Sequence, residues 1–132
     1  MAHILVVEDT PDNRNIAELI LLDAGHTVVS VGDGASGILA AKKIRPDVIL
    51  MDLSLPKLDG WEATRRLKSD PATRDIPVVA FTAHALPGDI DRARAAGCSA
   101  VIAKPFEIDI FLSEIESLLG KRKVHSSRQL GA

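Results

Sequence analysis

Five times along the chain a short, almost continuous apolar run is followed by a stretch with helical character, and no other feature narrows the fold so far. The runs are Ile4-Leu5-Val6-Val7, Thr27 to Val31, Val48-Ile49-Leu50-Met51, Val78-Val79-Ala80-Phe81 and Ala100 to Ala103. They have the length of strands, and those that are apolar at every position leave no polar side for water, as expected of strands covered on both faces. The first helix opens at Thr10-Pro11, with Thr10 as N-cap and Pro11 at the first helical position; Ile16, Leu19, Ile20 and Leu22 form its apolar stripe, and Gly25 stops it. Gly32-Asp33-Gly34 turns into an alanine-rich helix from about Ala35 to Arg45, and Trp61 to Ser69 form a third. A shorter helix runs from about Gly88 to Ala96 and stops at Gly97. The last, Ile108 to Leu119, puts Ile108, Phe111, Leu112, Ile115, Leu118 and Leu119 on one face before Gly120 caps it. Leu53 to Gly60 is too broken by Pro56 and Gly60 to be helical and reads as a loop. The alternation predicts repeated βα units, an α/β fold with a parallel sheet.

With 132 residues there is room for one continuous core. The expected organisation is one domain over residues 1–120 and a disordered basic and polar tail over 121–132, where Lys121-Arg122-Lys123, His125 and Arg128 stand among Ser, Gln and Gly. Charged residues make up 26% and hydrophobic ones 46%, which suits a globular domain and not a disordered chain. No apolar run approaches the ~18 residues a membrane span requires. The Met-Ala-His start has none of the features of a secretory signal, so a cytoplasmic, bacterial-type protein is expected. A net charge of −2 argues against direct nucleic-acid binding, which needs a basic surface. The single cysteine, Cys98, excludes an internal disulfide and reads as a small buried apolar residue.

Polar residues gather where four of the apolar runs end: Glu8 and Asp9 after the first, Asp52 after the third, Thr82 after the fourth and Lys104 after the fifth. In open parallel α/β sheets, ligands bind outside the carboxyl ends of the strands, so residues far apart in sequence can converge there. Each residue alone is explained as a helix cap or a solvated charge. Their joint occurrence is not. Two carboxylates ~4 Å apart repel by ~4 kcal/mol at an effective dielectric of 20, so three of them call for a cation. A hard divalent ion with oxygen ligands, Mg²⁺, meets that demand and brings phosphate chemistry with it. An ammonium such as Lys104 could then neutralise a transferring phosphoryl group, the Thr82 hydroxyl could bond it, and Asp52 could be the carboxylate nucleophile.

From Ile4 to about Leu119 the chain resembles the receiver domain of two-component response regulators. The resemblance rests on Val7-Glu8-Asp9, on Leu50-Met51-Asp52-Leu53-Ser54-Leu55-Pro56 with Asp59-Gly60, on Phe81-Thr82-Ala83, and on Lys104-Pro105-Phe106, in that order and at suitable spacing. It implies a doubly wound, flavodoxin-like five-stranded sheet in the order 2-1-3-4-5 flanked by five helices. It also implies that Asp52 accepts the phosphoryl group, that Asp9 and Asp52 bind Mg²⁺ directly, and that Glu8 holds the ion's water shell while the Ser54 carbonyl completes the protein ligands. Thr82 and Lys104 would contact the phosphoryl group, with a cis Lys104-Pro105 peptide aiming the lysine. Ser54 and His84 would flank the path of attacking water. The implied donor is a phosphohistidine on a sensor histidine kinase or a histidine phosphotransfer protein, and the implied output is protein binding or phosphorelay by a stand-alone receiver. One departure stands out: the aromatic residue common in the family three positions before the lysine is Val101 here, and the chain has no tyrosine.

Two other readings are weaker. A phosphohydrolase with an aspartyl nucleophile would carry a second carboxylate as general acid two residues after Asp52, where this chain has Ser54. A receiver-like module that binds partners without phosphorylation would have no need of the acidic cluster and Lys104.

Overall fold

The computed structural model describes residues 2–55, 58–82, 87–103 and 107–131, with residues 120–131 described by their backbone alone. Five strands, β1 (His3–Val7), β2 (Thr27–Val31), β3 (Val48–Asp52), β4 (Val78–Thr82) and β5 (Ala100–Ala103), alternate with five helices, α1 (Pro11–Asp23), α2 (Gly34–Ile44), α3 (Gly60–Ser69), α4 (Pro87–Ala96) and α5 (Ile108–Gly131). The strands form one parallel sheet in the order β2-β1-β3-β4-β5. This is the α/β doubly wound, flavodoxin-like arrangement that the resemblance implies.

Alternation along the strands sorts the core into two layers. Leu5, Val7, Ile49, Met51, Val78 and Ala80 face the layer that holds Ala41 of α2, Ala63 and Leu67 of α3, and Ala93 of α4. Ile4, Val6, Val48, Leu50, Val79 and Phe81 face Ala17 and Leu21 of α1 and Phe111, Ile115 and Leu119 of α5. Every residue of β3 and of β4 is buried, as central strands covered on both faces must be.

Local signals in the sequence account for most element ends. Gly25, at φ +93°, ends α1 in a Schellman turn in which the His26 amide donates to the Leu21 carbonyl at 3.1 Å and the Gly25 amide to Leu22 at 3.0 Å. Gly97, at φ +109°, ends α4 with the same pair of bonds, Cys98 to Ala93 and Gly97 to Arg94. Asp33 and Asp59 cap α2 and α3 through bonds from the Ser36 and Glu62 amides, at 2.8 and 2.9 Å.

Three expectations are corrected. Pro11 does open α1, but Thr10 makes no side-chain capping bond; its amide instead donates to the Glu8 carboxylate at 3.2 Å. The apolar stripe of α1 that meets the core is Ala17 and Leu21 with Ile20 beside them, whereas Ile16, Leu19 and Leu22 are exposed, Leu19 by 68%. Because α1 carries apolar residues on more than one face, periodicity alone favoured the larger side chains over the small Ala17 that lets the helix lie close to the sheet. In α5, Phe111, Ile115 and Leu119 are buried as expected, but Ile108 is exposed, and the helix continues past Gly120 to Gly131. A glycine inside a helix costs only about 1 kcal/mol relative to alanine, and no proline follows to stop it. No helix among the described residues is long and apolar enough to cross a membrane.

Candidate functional site

Because all five strands run the same way, their carboxyl ends share one edge, and register decides which residues meet there. Val7 pairs with Met51, Asp52 with Phe81, and Thr82 with Ala103. The residues that follow Val7 therefore stand beside Asp52, and Thr82 ends the next strand along. Strand order reverses between β1 and β3, the point where open sheets of this kind leave a crevice.

Glu8, Asp9 and Asp52 converge there: one carboxylate oxygen from each lies within 4.8 Å of the others. Glu8 is fully buried and Asp52 is 2% exposed, while Asp9 faces outward. Burial of two carboxylates beside a third is unfavourable by several kcal/mol unless hydrogen bonds and a cation offset it. Some of the hydrogen bonds are visible. The Thr10 amide donates to Glu8, and the Ser54 amide donates to Asp52 Oδ1 at 2.9 Å. The backbone around Glu8 is fixed as well, by its own amide on the Val31 carbonyl at 3.0 Å and by Arg14 Nη1 on its carbonyl at 3.4 Å. A hard divalent cation fits this donor set, since it is all oxygen, carries net negative charge and opens to solvent on the Asp9 side.

Thr82, 3% exposed, lies at the end of β4 next to the strand that carries Asp52. Ser54 is exposed and follows Asp52 closely enough for its amide to bond the carboxylate. Lys104 follows Ala103 directly in sequence, but Lys104, the Lys104-Pro105 peptide and His84 lie outside the described residues. Five of the seven residues expected at the site from sequence are thus described, and three of them form one carboxylate cluster.

The residues that support the cluster were harder to foresee. Gly60 lies against the backbone of the strand end: a Cβ there would stand 2.2 Å from the Asp52 carbonyl oxygen and 2.7 Å from Leu53 Cα. No side chain larger than hydrogen fits without moving either the strand end or the start of α3. The sequence reads Asp59-Gly60 as the end of the loop before the third helix, but nothing in it says which strand that helix start will touch. Arg14 gave no signal at all, being one polar residue among several on α1.

The family model for the response regulator receiver domain matches residues 4–116. The chain belongs to that family. Among its relatives, the polar-differentiation response regulator DivK of Brucella anthropi is 38% identical over 117 residues, covering 89% of this chain and 95% of that protein. A receiver domain of a Pseudomonas aeruginosa sensor histidine kinase, described with a magnesium ion coordinated in its active-site cleft, superposes with a TM-score of 0.84 at 38% identity, covering 90% of this chain and 98% of that one. The chemotaxis protein CheY4 of Vibrio cholerae superposes with a TM-score of 0.85 at 27% identity, over 89% of this chain and 98% of its own. This receiver domain is a signalling module of a two-component system, and the carboxylate cluster lies at the strand ends where its fold leaves the crevice.

Proposed function

We propose that this receiver takes a phosphoryl group onto Asp52 from a phosphohistidine on a sensor histidine kinase or histidine phosphotransfer protein. The observation that carries the reading is the cluster of Glu8, Asp9 and Asp52, with its carboxylate oxygens within 4.8 Å of one another and two of the three side chains buried. In the transfer, an Asp52 carboxylate oxygen forms a bond to phosphorus as the donor's N–P bond breaks. The imidazole leaves with the bonding electron pair and takes up a proton, and Asp52 becomes an acyl phosphate.

Asp9 and Asp52 would hold Mg²⁺ directly, Glu8 through its water shell and Ser54 through its carbonyl. The ion supplies positive charge against the three carboxylates and the phosphoryl oxygens. The chain's own residues do the rest. The Ser54 amide orients Asp52, the Thr82 hydroxyl donates to a phosphoryl oxygen, and Lys104 pairs with another. Ser54 and His84 flank the approach of the water that later hydrolyses the acyl phosphate, so the domain carries out its own phosphorylation and slow dephosphorylation and turns over no external substrate.

The exposed Ile16, Leu19 and Leu22 of α1, a helix whose first-turn Arg14 reaches the Glu8 carbonyl, give a protein donor an apolar surface that runs along the helix away from the site. Output runs through protein binding or phosphorelay from a domain of residues 1–120, with residues 121–132 as an appendage. A kinase-derived phosphohistidine places this exchange in the cytoplasm.

The test is intact mass after incubation with Mg²⁺ and acetyl phosphate. The wild-type chain gains one base-labile phosphoryl group, and neither Asp52→Asn nor a chelated sample gains any. Equal labelling of Asp52→Asn would refute the assignment.

A further inference from the structure

The family's usual aromatic position before the lysine is Val101, yet an aromatic ring does pack on the same face of the sheet. Trp61, the chain's one tryptophan, and Val101 lie against the same core layer, which includes Met51, Leu53 and Ala80. Trp61 directly follows Gly60, whose Cα rests on the Asp52 and Leu53 backbone, so the first turn of α3 is in contact with the phosphoacceptor's own main chain. Asp59 caps that turn through the Glu62 amide at 2.9 Å, which fixes the direction in which the turn projects. From the other side Arg92 of α4 lies over the indole, with Cζ 4.3 Å from the ring centroid, well inside the range of a cation–π contact.

The residues that α4 buries are Ala93 and Ala96, two of the smallest side chains, and the exposed Arg92 adds a cation–π contact to α3 beside them. The same helix follows β4, whose last residue is Thr82.

We propose that the Trp61–Arg92 contact is the strut through which the state of Asp52 sets the position of α4. This rests on Asp52 being the phosphoacceptor. The chain of contact runs from the Asp52 backbone to Gly60, through the capped first turn to Trp61, and across the indole to Arg92. A shift of the Asp52–Leu53 backbone on phosphorylation moves Gly60 with it, because the close approach leaves no slack. Linkage then requires that the strut affect the site in return.

The full chain is tested with Mg²⁺ and beryllofluoride, a phosphoryl mimic, in the wild type, Arg92→Ala, Arg92→Lys and Trp61→Leu, against Mg²⁺ alone as baseline. Phosphoryl uptake from acetyl phosphate is followed separately by mass. With no tyrosine in the chain, tryptophan emission reports on Trp61. In the wild type, beryllofluoride changes both the emission and the hydrogen exchange of the α4 amides. In Arg92→Ala and Trp61→Leu the change in α4 exchange is lost, and Arg92→Lys, which keeps a cation over the ring, retains part of it. Removing a contact of this strength also shifts the apparent beryllofluoride affinity of Arg92→Ala by roughly two- to fivefold. A wild-type-sized α4 response and unchanged affinity in Arg92→Ala, with phosphoryl uptake intact in both proteins, overturns the strut and leaves Asp52 as phosphoacceptor. Absence of uptake in the wild type overturns both.

Discussion

Gly60 shows how much of a site can depend on an atom that is not there. A methyl group at this position would stand 2.2 Å from the Asp52 carbonyl oxygen, a separation that only backbone movement can relieve. Overpacking of this kind costs about 1–3 kcal/mol. Gly60→Ala is therefore expected to lower the urea midpoint by a corresponding amount and to slow acetyl phosphate labelling, because the strain is relieved by displacing Asp52. Wild-type stability in that variant would show that α3 can retreat from the strand. The thiol of Cys98 is a simpler case. It is buried beside Thr64, with Sγ 3.9 Å from the hydroxyl, and burial raises its pKa above the ordinary value. The thiolate is the reactive form, so labelling by a thiol reagent at neutral pH is expected to be slow in the folded protein and fast in denaturant. Rapid labelling of the folded chain would contradict the packing of α4 against α3. Burial of Cys98 was legible in the sequence. The role of Gly60 was not, since a close approach is a property of two segments and sequence pattern describes one at a time.

At the scale of elements, the strands were the easiest to read. Ile4 to Val7 and Val48 to Met51 are apolar at every position, and only burial on both faces accommodates that. The carboxyl ends of those runs could then be placed on one edge by the logic of parallel strands alone, which is why Glu8, Asp9, Asp52 and Thr82 were foreseen together. Helix faces were harder. In α1 the residues Ile16, Leu19 and Leu22 are larger and more hydrophobic than Ala17, yet Ala17 is the one with no exposure. Close packing on the sheet selects a small residue there, and hydrophobicity does not report closeness. Stability measurements separate the two faces: Leu21→Ala is expected to cost about 2–5 kcal/mol, whereas Leu19→Ser stays within about 0.5 kcal/mol of wild type. Equal effects in urea denaturation would contradict the orientation of α1. The extent of α5 was missed for a related reason, because Gly120 signals a cap only when the following residues gain by leaving the helix.

On the scale of the whole molecule, the five parallel strands bring three carboxylates together at one end of the sheet, a donor set that a divalent cation fits. A cation bound only by the folded chain raises stability by an amount that grows with the logarithm of its concentration. Thermal unfolding of the wild type is expected to shift upward as Mg²⁺ is added, and Asp9→Asn, which removes a carboxylate from the cluster, is expected to shift less; identical shifts would place the ion elsewhere. At the opposite end of the sheet, the Asp70 carboxylate accepts from the Ala72 amide at 2.8 Å and pairs with Lys42 Nζ at 3.1 Å. These partners, the amide first, hold its pKa below the ordinary 3.8. A depressed carboxylate pKa adds stability that is present above the unfolded value and is lost as pH falls through the folded one. The stability difference between wild type and Asp70→Ala should accordingly narrow on acidification below about pH 4. A difference independent of pH across that range would mean that the charge of Asp70 contributes nothing.

Borohydride trapping asks whether Asp52 itself becomes the acyl phosphate. Reduction of an aspartyl phosphate converts that residue to homoserine, which peptide mapping locates. After incubation with Mg²⁺ and acetyl phosphate, homoserine is predicted at position 52 and at no other acidic residue. Homoserine at position 9, the longer alcohol hydroxynorvaline at the glutamate of position 8, or labelling with no homoserine at 52, would contradict phosphorylation of Asp52.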